Sequence, residues 1–504
     1  MATEVVQTPI SSSTTQHNDS FITVPSDTRI ETPKYASADL TWAVGSKTID
    51  YRATAAHIDV RSDTCALIAK MFSVSYIALE EGMPQKNRPV TFAFNGGPGC
   101  ASIPINFGGI GPRRVETHGM DHLGRPTTLD NPHTLLKESD LVFLDAPGVG
   151  WSSFAEGAEA EKCFGVDGDA DAFARAIMQW LEDNDRWQSP VFLFGESYGT
   201  LRNAVLMGIL GERGVFVSGV VMLSSIFDWT QTLPGDDLYY LGMMPTFAAT
   251  AQYFGKAGMG IQEDLWFEQA MGFTEDVYAP ALLKGDRLTT QAMEKVAAEM
   301  SEFIGISPEF IMKKSLRLSL HDFRHELLAD EGQVIGRLDT RFVSDASHPA
   351  QGNHGDADSD PAGDAMDSAW TMAFREFMSN TLGYRGPATY LSNNYQAIGT
   401  KWNWAHSVPG TSLKVGAPNV SFDIATALKR NPNIHMAFLG GRYDCATTLW
   451  NTYHDMSCMF LSENIKKNIY WYRYGCGHMA YTDVPTLEQM DKDLHQFYKA
   501  ALED

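Results

Sequence analysis

Three residues of this chain have the types and the order needed for nucleophilic attack on an acyl carbon. Ser197 lies in "VFLFGESYGT", where the apolar run Val191 to Phe194 ends in Gly195-Glu196-Ser197-Tyr198-Gly199 and a helical pattern follows at once. A G-x-S-x-G at a strand-to-helix junction is the context of a nucleophile elbow, a strained turn that exposes the serine hydroxyl beside backbone N–H groups. A serine hydroxyl also needs a base to take its proton and an acid to orient that base. On such a scaffold both follow the serine, acid first, on loops after later strands. Asp444 in "FLGGRYDCATT" and His478 in "YGCGHMAY" stand at those places. "GESYG" alone also fits a serine that merely caps a helix; the acid and the histidine separate the two readings. Asp228 in "SSIFDW" is a competing acid, and His454 in "NTYHDM" reads as a surface or core residue of a helix.

Acyl transfer needs donors for the oxyanion as well. "NGGPGCAS", Asn95 to Ser102, is a glycine-rich turn whose backbone can approach a substrate closely. It lacks the Lys-Ser/Thr of a phosphate-binding loop, which leaves an oxyanion role or a plain tight turn. Cys100 in this turn and Cys445 beside Asp444 are candidates for lining the site, with simple packing as the alternative.

The elements that must hold these residues show in the apolar pattern. Short alternating runs from Leu40 to Leu79 predict antiparallel strands. Apolar runs ending in Gly, Asp or Ser then start at Pro89, Asp140, Pro190 and Val217, and again at Asn433 and Asn468. A helix face of Ala170, Phe173, Ala174, Ile177 and Leu181 falls between two of them, and a closing helix carries Leu487, Met490, Leu494 and Phe497. Buried strands alternating with amphipathic helices imply a mostly parallel central sheet with helices on both faces. The expected organisation is a flexible tail over 1–35, the first part of the core over 36–226, an inserted and largely helical cap over 227–430, and the second part of the core over 431–504. The cap contains helical stretches such as "SLRLSLHDFRHELL" from Ser315, and it is expected to cover the strand ends, where ligands of such sheets bind. No internal repeat is visible.

Composition limits the function classes. The 504 residues are 44% hydrophobic, 20% charged and 11% aromatic, the balance of a globular protein. With 39 basic against 62 acidic residues the net charge is -23, which repels nucleic acid and anionic lipid. No apolar run reaches the roughly 18 residues of a spanning helix, and no basic start leads into an apolar stretch as in a secretory signal. The expected location is therefore the cytoplasm, and the six scattered cysteines are expected to be free thiols. The acidic loop Ser344 to Ser368 contains "DADSD", but Pro361 stands where a calcium loop needs glycine. No His/Cys set has metal-ligand spacing, and the pattern calls for neither metal nor cofactor.

"NGGPGCAS", "GESYG", "GGRYDCAT" and "GCGHM", in that order, resemble the serine carboxypeptidase family, and "FGGIGPRRV" and "EGQVIGRLDTRF" resemble its bacterial branch. The resemblance spans roughly 40 to 500 and is weakest in the cap. It implies an α/β-hydrolase fold with a cap, and release of single residues from peptide C-termini through an acyl-enzyme. It implies Ser197 as nucleophile, His478 as base and then acid, and Asp444 as its orienting partner. It further implies that the N–H groups of Gly97 and Tyr198 form the oxyanion hole and that Asn95, the Gly96 backbone and Glu196 hold the substrate's terminal carboxylate. In the family the acid before the serine shares protons with a second acid, two residues before a Gly-Pro.

Here that second position is Gly109. Arg113 and Arg114, directly after Pro112, are the candidate compensation, since a guanidinium pairs with a carboxylate without a shared proton. The expected partner is a peptide or a small acyl substrate, and homo-oligomerisation stays open. Two other functions use the same scaffold: an esterase, amidase or acyltransferase with the same triad, and a non-catalytic binding protein, which has no need of a complete triad.

Overall fold

The computed structural model describes residues 35–121, 124–346 and 360–503. Nine strands form one path in the main sheet: β1 (Tyr35–Val44), β2 (Lys47–Arg61), β3 (Leu67–Glu80), β4 (Val90–Phe94), β5 (Asp140–Leu144), β6 (Val191–Glu196), β7 (Val217–Leu223), β8 (His435–Gly441) and β9 (Ile469–Tyr474). Their spatial order is β1-β2-β3-β5-β4-β6-β7-β8-β9, with the short strands Met83–Pro84 and Ser153–Phe154 paired to β3. The β1–β2, β2–β3 and β3–β5 pairs are antiparallel. Every pair from β5 to β9 is parallel. This is the α/β-hydrolase arrangement.

Residue type explains the split. β4, β5 and β6 are short, mainly apolar runs and buried throughout, as strands covered on both faces must be. β2 instead alternates buried with partly exposed positions over much of its length, as fits a sheet with one wetter face. The alternation of side chains along β4 shows which helix covers which face. Phe92 and Phe94 meet Trp180 and Phe173 of helix α1 (Val166–Asp183). Thr91, facing the other way, meets the Tyr498 hydroxyl of the C-terminal helix Val484–Glu503 at 2.8 Å. Phe92, Phe94 and Phe173 are fully buried, which stabilises the fold by roughly 1.5–3 kcal/mol per side chain.

Helix α2 (Tyr198–Glu212) starts directly from β6, and all ten of its first residues, Tyr198 to Met207, are buried. It packs against α1 and the helix Ser421–Arg430.

The inserted region has two parts. Helices from α3 (Asp237–Tyr253) to Leu320–Glu326 close a separate apolar core around Phe247, Phe273 and Phe323. The helix α4 (Pro361–Glu376) instead sends Met366, Trp370 and Phe374 into the main core. The helix read from Ser315 begins only at Leu320. Ser315 and Leu316 take left-handed φ values of 53° and 64°, and Ser319 opens the helix with a reciprocal capping box to Asp322. The tail read over 1–35 lies outside the described residues except for Tyr35, which already pairs in β1. No helix among the described residues is long and apolar enough to cross a membrane.

Candidate active site

Ser197 sits between β6 and α2 at φ 58°, ψ -128°, a conformation that costs a non-glycine residue roughly 1–3 kcal/mol. The surroundings enforce it. The Ser197 N–H donates to the Leu223 carbonyl of β7 at 3.0 Å, and the Thr200 N–H and hydroxyl donate to the Ser197 carbonyl at 2.8 and 2.7 Å. A Cβ on Gly195 would lie 2.3 Å from the Gly199 carbonyl oxygen, and one on Gly96 would lie 2.4 Å from the Tyr198 nitrogen. The glycine turn therefore rests against the elbow, beside the Tyr198 N–H. Arg202 of α2, buried and paired with Asp169 of α1 at 2.6 Å, donates to the Asn95 carbonyl at 3.0 Å and ties the turn to the elbow helix.

Asp444 and His478 occupy the loops after β8 and β9. Asp444 is fully buried. Its Oδ1 accepts from the N–H groups of Ala446 (2.7 Å) and Thr447 (3.0 Å), and its Oδ2 from the Thr447 hydroxyl (2.8 Å). His478 Nδ1 stands 2.8 Å from the same Oδ2. A proton on Nδ1 leaves Nε2 with the lone pair a base requires. Burial works to lower the His478 pKa, but the charge and hydrogen bond of Asp444, with help from Glu196, outweigh it and raise the value. No Ser197–His478 hydrogen bond is formed among the described residues; such bonds often tighten only when substrate binds. Asp228 caps its own turn at Thr230 and accepts from Asn419. His454 stacks on Trp450 within the helix Leu449–Cys458.

Glu196 is 3% exposed and accepts from the Tyr481 hydroxyl at 2.8 Å. Burial above all, with a smaller push from Asp444, brings its pKa up to about 7, against His478 and the hydrogen bonds of Tyr481 and Asn95. The place of a second acid is filled: a Cβ on Gly109 would lie 3.1 Å from the Tyr481 ring, and one on Gly108 would lie 3.0 Å from the Trp370 ring. Asn95 also accepts from the Ile105 N–H at 3.1 Å, which fixes its amide.

Two expectations are corrected. Arg113 and Arg114 open a hairpin strand (Arg113–Met120) that pairs with Pro126–Asp130, and the side chains are taken up there. Arg113 faces Asp130 at 3.6 Å, and buried Arg114 donates to the Thr117 hydroxyl at 3.1 Å. The groups on Glu196 are Tyr481 and Asn95 instead. Cys445 is 1% exposed and packs into the separate apolar core of the insertion, with its thiol pushed well up by burial and by Asp444. Cys100 stays in the glycine turn, half-buried, its thiol pushed up to about 12 by burial. Most of the acidic loop lies outside the described residues; Asp360 caps α4. Among the described residues no His, Cys, Asp and Glu cluster could hold a metal ion.

Sequence reasoning missed Tyr481, Trp370 and Thr447. Thr447 and Tyr481 each lie three residues after a triad member, the one available signal; nothing marked Trp370.

The family described as serine carboxypeptidase matches residues 68–202, which takes in the glycine turn and the elbow. Serine carboxypeptidase-like 50 of Arabidopsis thaliana is 33% identical over 148 residues, 29% of this chain and 32% of that protein. Serine carboxypeptidase-like 51 of the same plant is 30% identical over 164 residues, 29% and 33%. The chain thus spans about a quarter to a third of the length of the curated relatives it matches. These relatives are plant proteins, so the bacterial branch rests on the two motifs alone. Among solved structures, a proline iminopeptidase of Mycobacterium smegmatis aligns over 89% of this chain and 99% of its own at 12% identity and a TM-score of 0.34.

Proposed function

We propose that this protein is a serine hydrolase of carboxypeptidase type, working through Ser197, His478 and Asp444 and a covalent acyl-enzyme. The observation that carries the reading is the 2.8 Å Asp444–His478 contact between the loops after β8 and β9. In this mechanism His478 Nε2 takes the Ser197 proton as Oγ bonds to the acyl carbon, and returns it to the leaving amine as the C–N bond breaks. The N–H groups of Tyr198 and Gly97 receive the oxyanion. Water, deprotonated by the same histidine, then releases the acyl group. The substrate's free carboxylate is received by Asn95, the Gly96 backbone and Glu196; a neutral Glu196 donates a hydrogen bond, whereas an ionised one repels. The cytoplasm is the proposed location.

The replacement of an acid partner by Tyr481 favours a second reading, the same triad acting on a non-peptide acyl group as an esterase, amidase or acyltransferase. One experiment separates them: paired N-blocked dipeptides, free acid and amide, assayed across about pH 4 to 9. Preference for the free acid below about pH 7 supports the carboxypeptidase. Equal turnover of both moves the protein to the second reading. Absence of a fluorophosphonate adduct on Ser197 removes both.

A further inference from the structure

Between its two parts, the inserted region sends one hairpin back to the triad. Its strands are Gln333–Ile335 and Val343–Asp345, and its loop Gly336 to Phe342 is the "GRLDTRF" stretch. The loop brackets Asp444: the Thr340 N–H donates to the Tyr443 carbonyl at 3.0 Å, and the Cys445 N–H donates to the Arg337 carbonyl at 3.1 Å. It holds the histidine loop as closely. The His478 N–H donates to the Leu338 carbonyl at 2.6 Å, the Gly477 N–H to Asp339 Oδ2 at 3.0 Å, and Arg341 to the Gly475 carbonyl at 2.7 Å.

Asp339 and Arg341 form a bidentate pair at 2.7 and 3.0 Å with Asp339 only 3% exposed. Arg341 also reaches Asp483 at 3.2 Å and lies 5.1 Å from the centre of the Tyr443 ring. The fit is tight, since a Cβ on Gly477 would lie 2.4 Å from both the Leu338 carbonyl oxygen and Asp339 Cβ. The loop's outer contacts reach both parts of the insertion. The Thr340 hydroxyl meets Thr250 of α3 at 2.6 Å, and Asp360, the cap of α4, accepts from the N–H groups of Arg337 and Leu338 at 2.7 and 3.0 Å.

We propose that this hairpin loop sets the relative position of Asp444 and His478, with Asp339 and Arg341 as its positioning pair, so that the triad is complete only while the insertion is seated. Neither residue touches the reacting atoms. Asp444 and His478 stand on separate loops that meet through their own side chains at 2.8 Å, through the Thr447 hydroxyl and His478 Nδ1 at 3.2 Å and through the Tyr443 N–H donating to the Cys476 carbonyl at 3.0 Å, and the hairpin loop hydrogen-bonds both. A shift of about 1 Å in such an arrangement costs up to about 100-fold in rate.

The proposal rests on the triad reading, and the test separates the two. A fluorophosphonate forms a Ser197 Oγ–P bond, with fluoride leaving and His478 taking the proton. The adduct is followed by intact mass in the full chain across about pH 5 to 9. Asp339→Asn and Arg341→Met are expected to label roughly 10- to 100-fold more slowly, with far-UV circular dichroism retained. The charged groups acting on His478 are Asp444, Glu196 and Arg337. Weakening its bond to Asp444 removes what raises its pKa, so the acidic limb of the rate profile moves to lower pH in both variants. Arg341→Lys, which keeps the charge, is expected to recover part of the rate. Arg317→Gln breaks an ion pair to Asp237 inside the insertion and is expected to label as wild type. Wild type that does not label overturns the triad reading. Wild type that labels, with Asp339→Asn and Arg341→Met matching it in rate and pH limb, overturns the positioning role; so does Arg317→Gln slowing as much as they do.

Discussion

The two halves of the site are held in different ways. The serine half is built by the sheet interior: β6 lies between β4 and β7, and the elbow is fixed by the Leu223 carbonyl, by Thr200 and by glycines that admit no side chain. The base half stands on loops after β8 and β9, the last strands on that side of the sheet; the Ser224 hydroxyl, just after β7, donates to the His478 carbonyl at 2.6 Å, and the insertion adds the contacts of the loop Gly336 to Phe342. The nucleophile is thus prepared within the sheet, whereas the base also depends on a tertiary contact with the insertion. The family match covers 68–202, which takes in the glycine turn and the elbow, and ends before Asp444 and His478.

Two glycine substitutions break this comparison most directly. Gly195→Ala drives a Cβ to 2.3 Å from backbone inside the elbow. It is expected to cost about 3 kcal/mol of stability and to lose labelling of Ser197 as well. Gly477→Ala drives a Cβ into Leu338 and Asp339 of the hairpin loop, which lies outside the main sheet. Its expected cost is about 1 kcal/mol, with labelling slowed roughly 10- to 100-fold. Thermal melting and labelling rate, measured together, decide it. Equal stability losses would mean that both halves are equally embedded.

The same difference governs what the sequence reveals. Strands β4 to β9 are legible because each is a short apolar run cut off by Gly, Asp or Ser, and Ser197, Asp444 and His478 follow those runs closely. Tyr481 filling the place of an acid at 109 was not legible. The two residues are far apart in sequence, and only packing brings the ring over the glycine. The hairpin was missed because its strands are three residues each, too short for alternation to show. Arg113 and Arg114 were misplaced because proximity to a Gly-Pro in sequence says nothing about the hairpin that takes up their side chains, Arg113 facing Asp130 of the paired strand and Arg114 reaching Thr117 of its own.

Where the two halves touch, Glu196 and Tyr481 offer a milder perturbation. Glu196, at about 7, is largely neutral below that pH and ionised above it. KM for a free-carboxylate peptide is therefore expected to rise above about pH 7, while KM for the matching amide stays flat. Glu196→Gln removes the rise. Tyr481→Phe deletes a hydrogen bond that favours the ionised form, so the Glu196 pKa goes up and the rise moves to higher pH, with kcat changing by less than about tenfold. A free-acid KM that is flat with pH in wild type removes the carboxylate role. Arg113→Ala and Arg114→Ala are expected to leave the profile unchanged.

The smallest effect on catalysis is expected at another junction between insertion and core. His406 is 1% exposed and bridges Asp167 of α1 at 2.6 Å and Asp423 of the helix Ser421–Arg430 at 2.9 Å. Burial would lower its pKa, but the hydrogen bonds and charges of the two aspartates raise it from 6.5 to about 9. A pKa raised on folding gives stability that is fully present below about 6.5 and is lost as pH rises through about 9. The unfolding temperature of the wild type is expected to fall across that window. In His406→Gln, which cannot become charged, that fall is expected to shrink. Labelling of Ser197 in this variant is expected to stay within about threefold of wild type, because this junction fastens the insertion to α1 and not to the loops of Asp444 and His478. A labelling loss as large as that of Arg341→Met would show that any loosened junction disables the site, and the distinction between the two halves would fall.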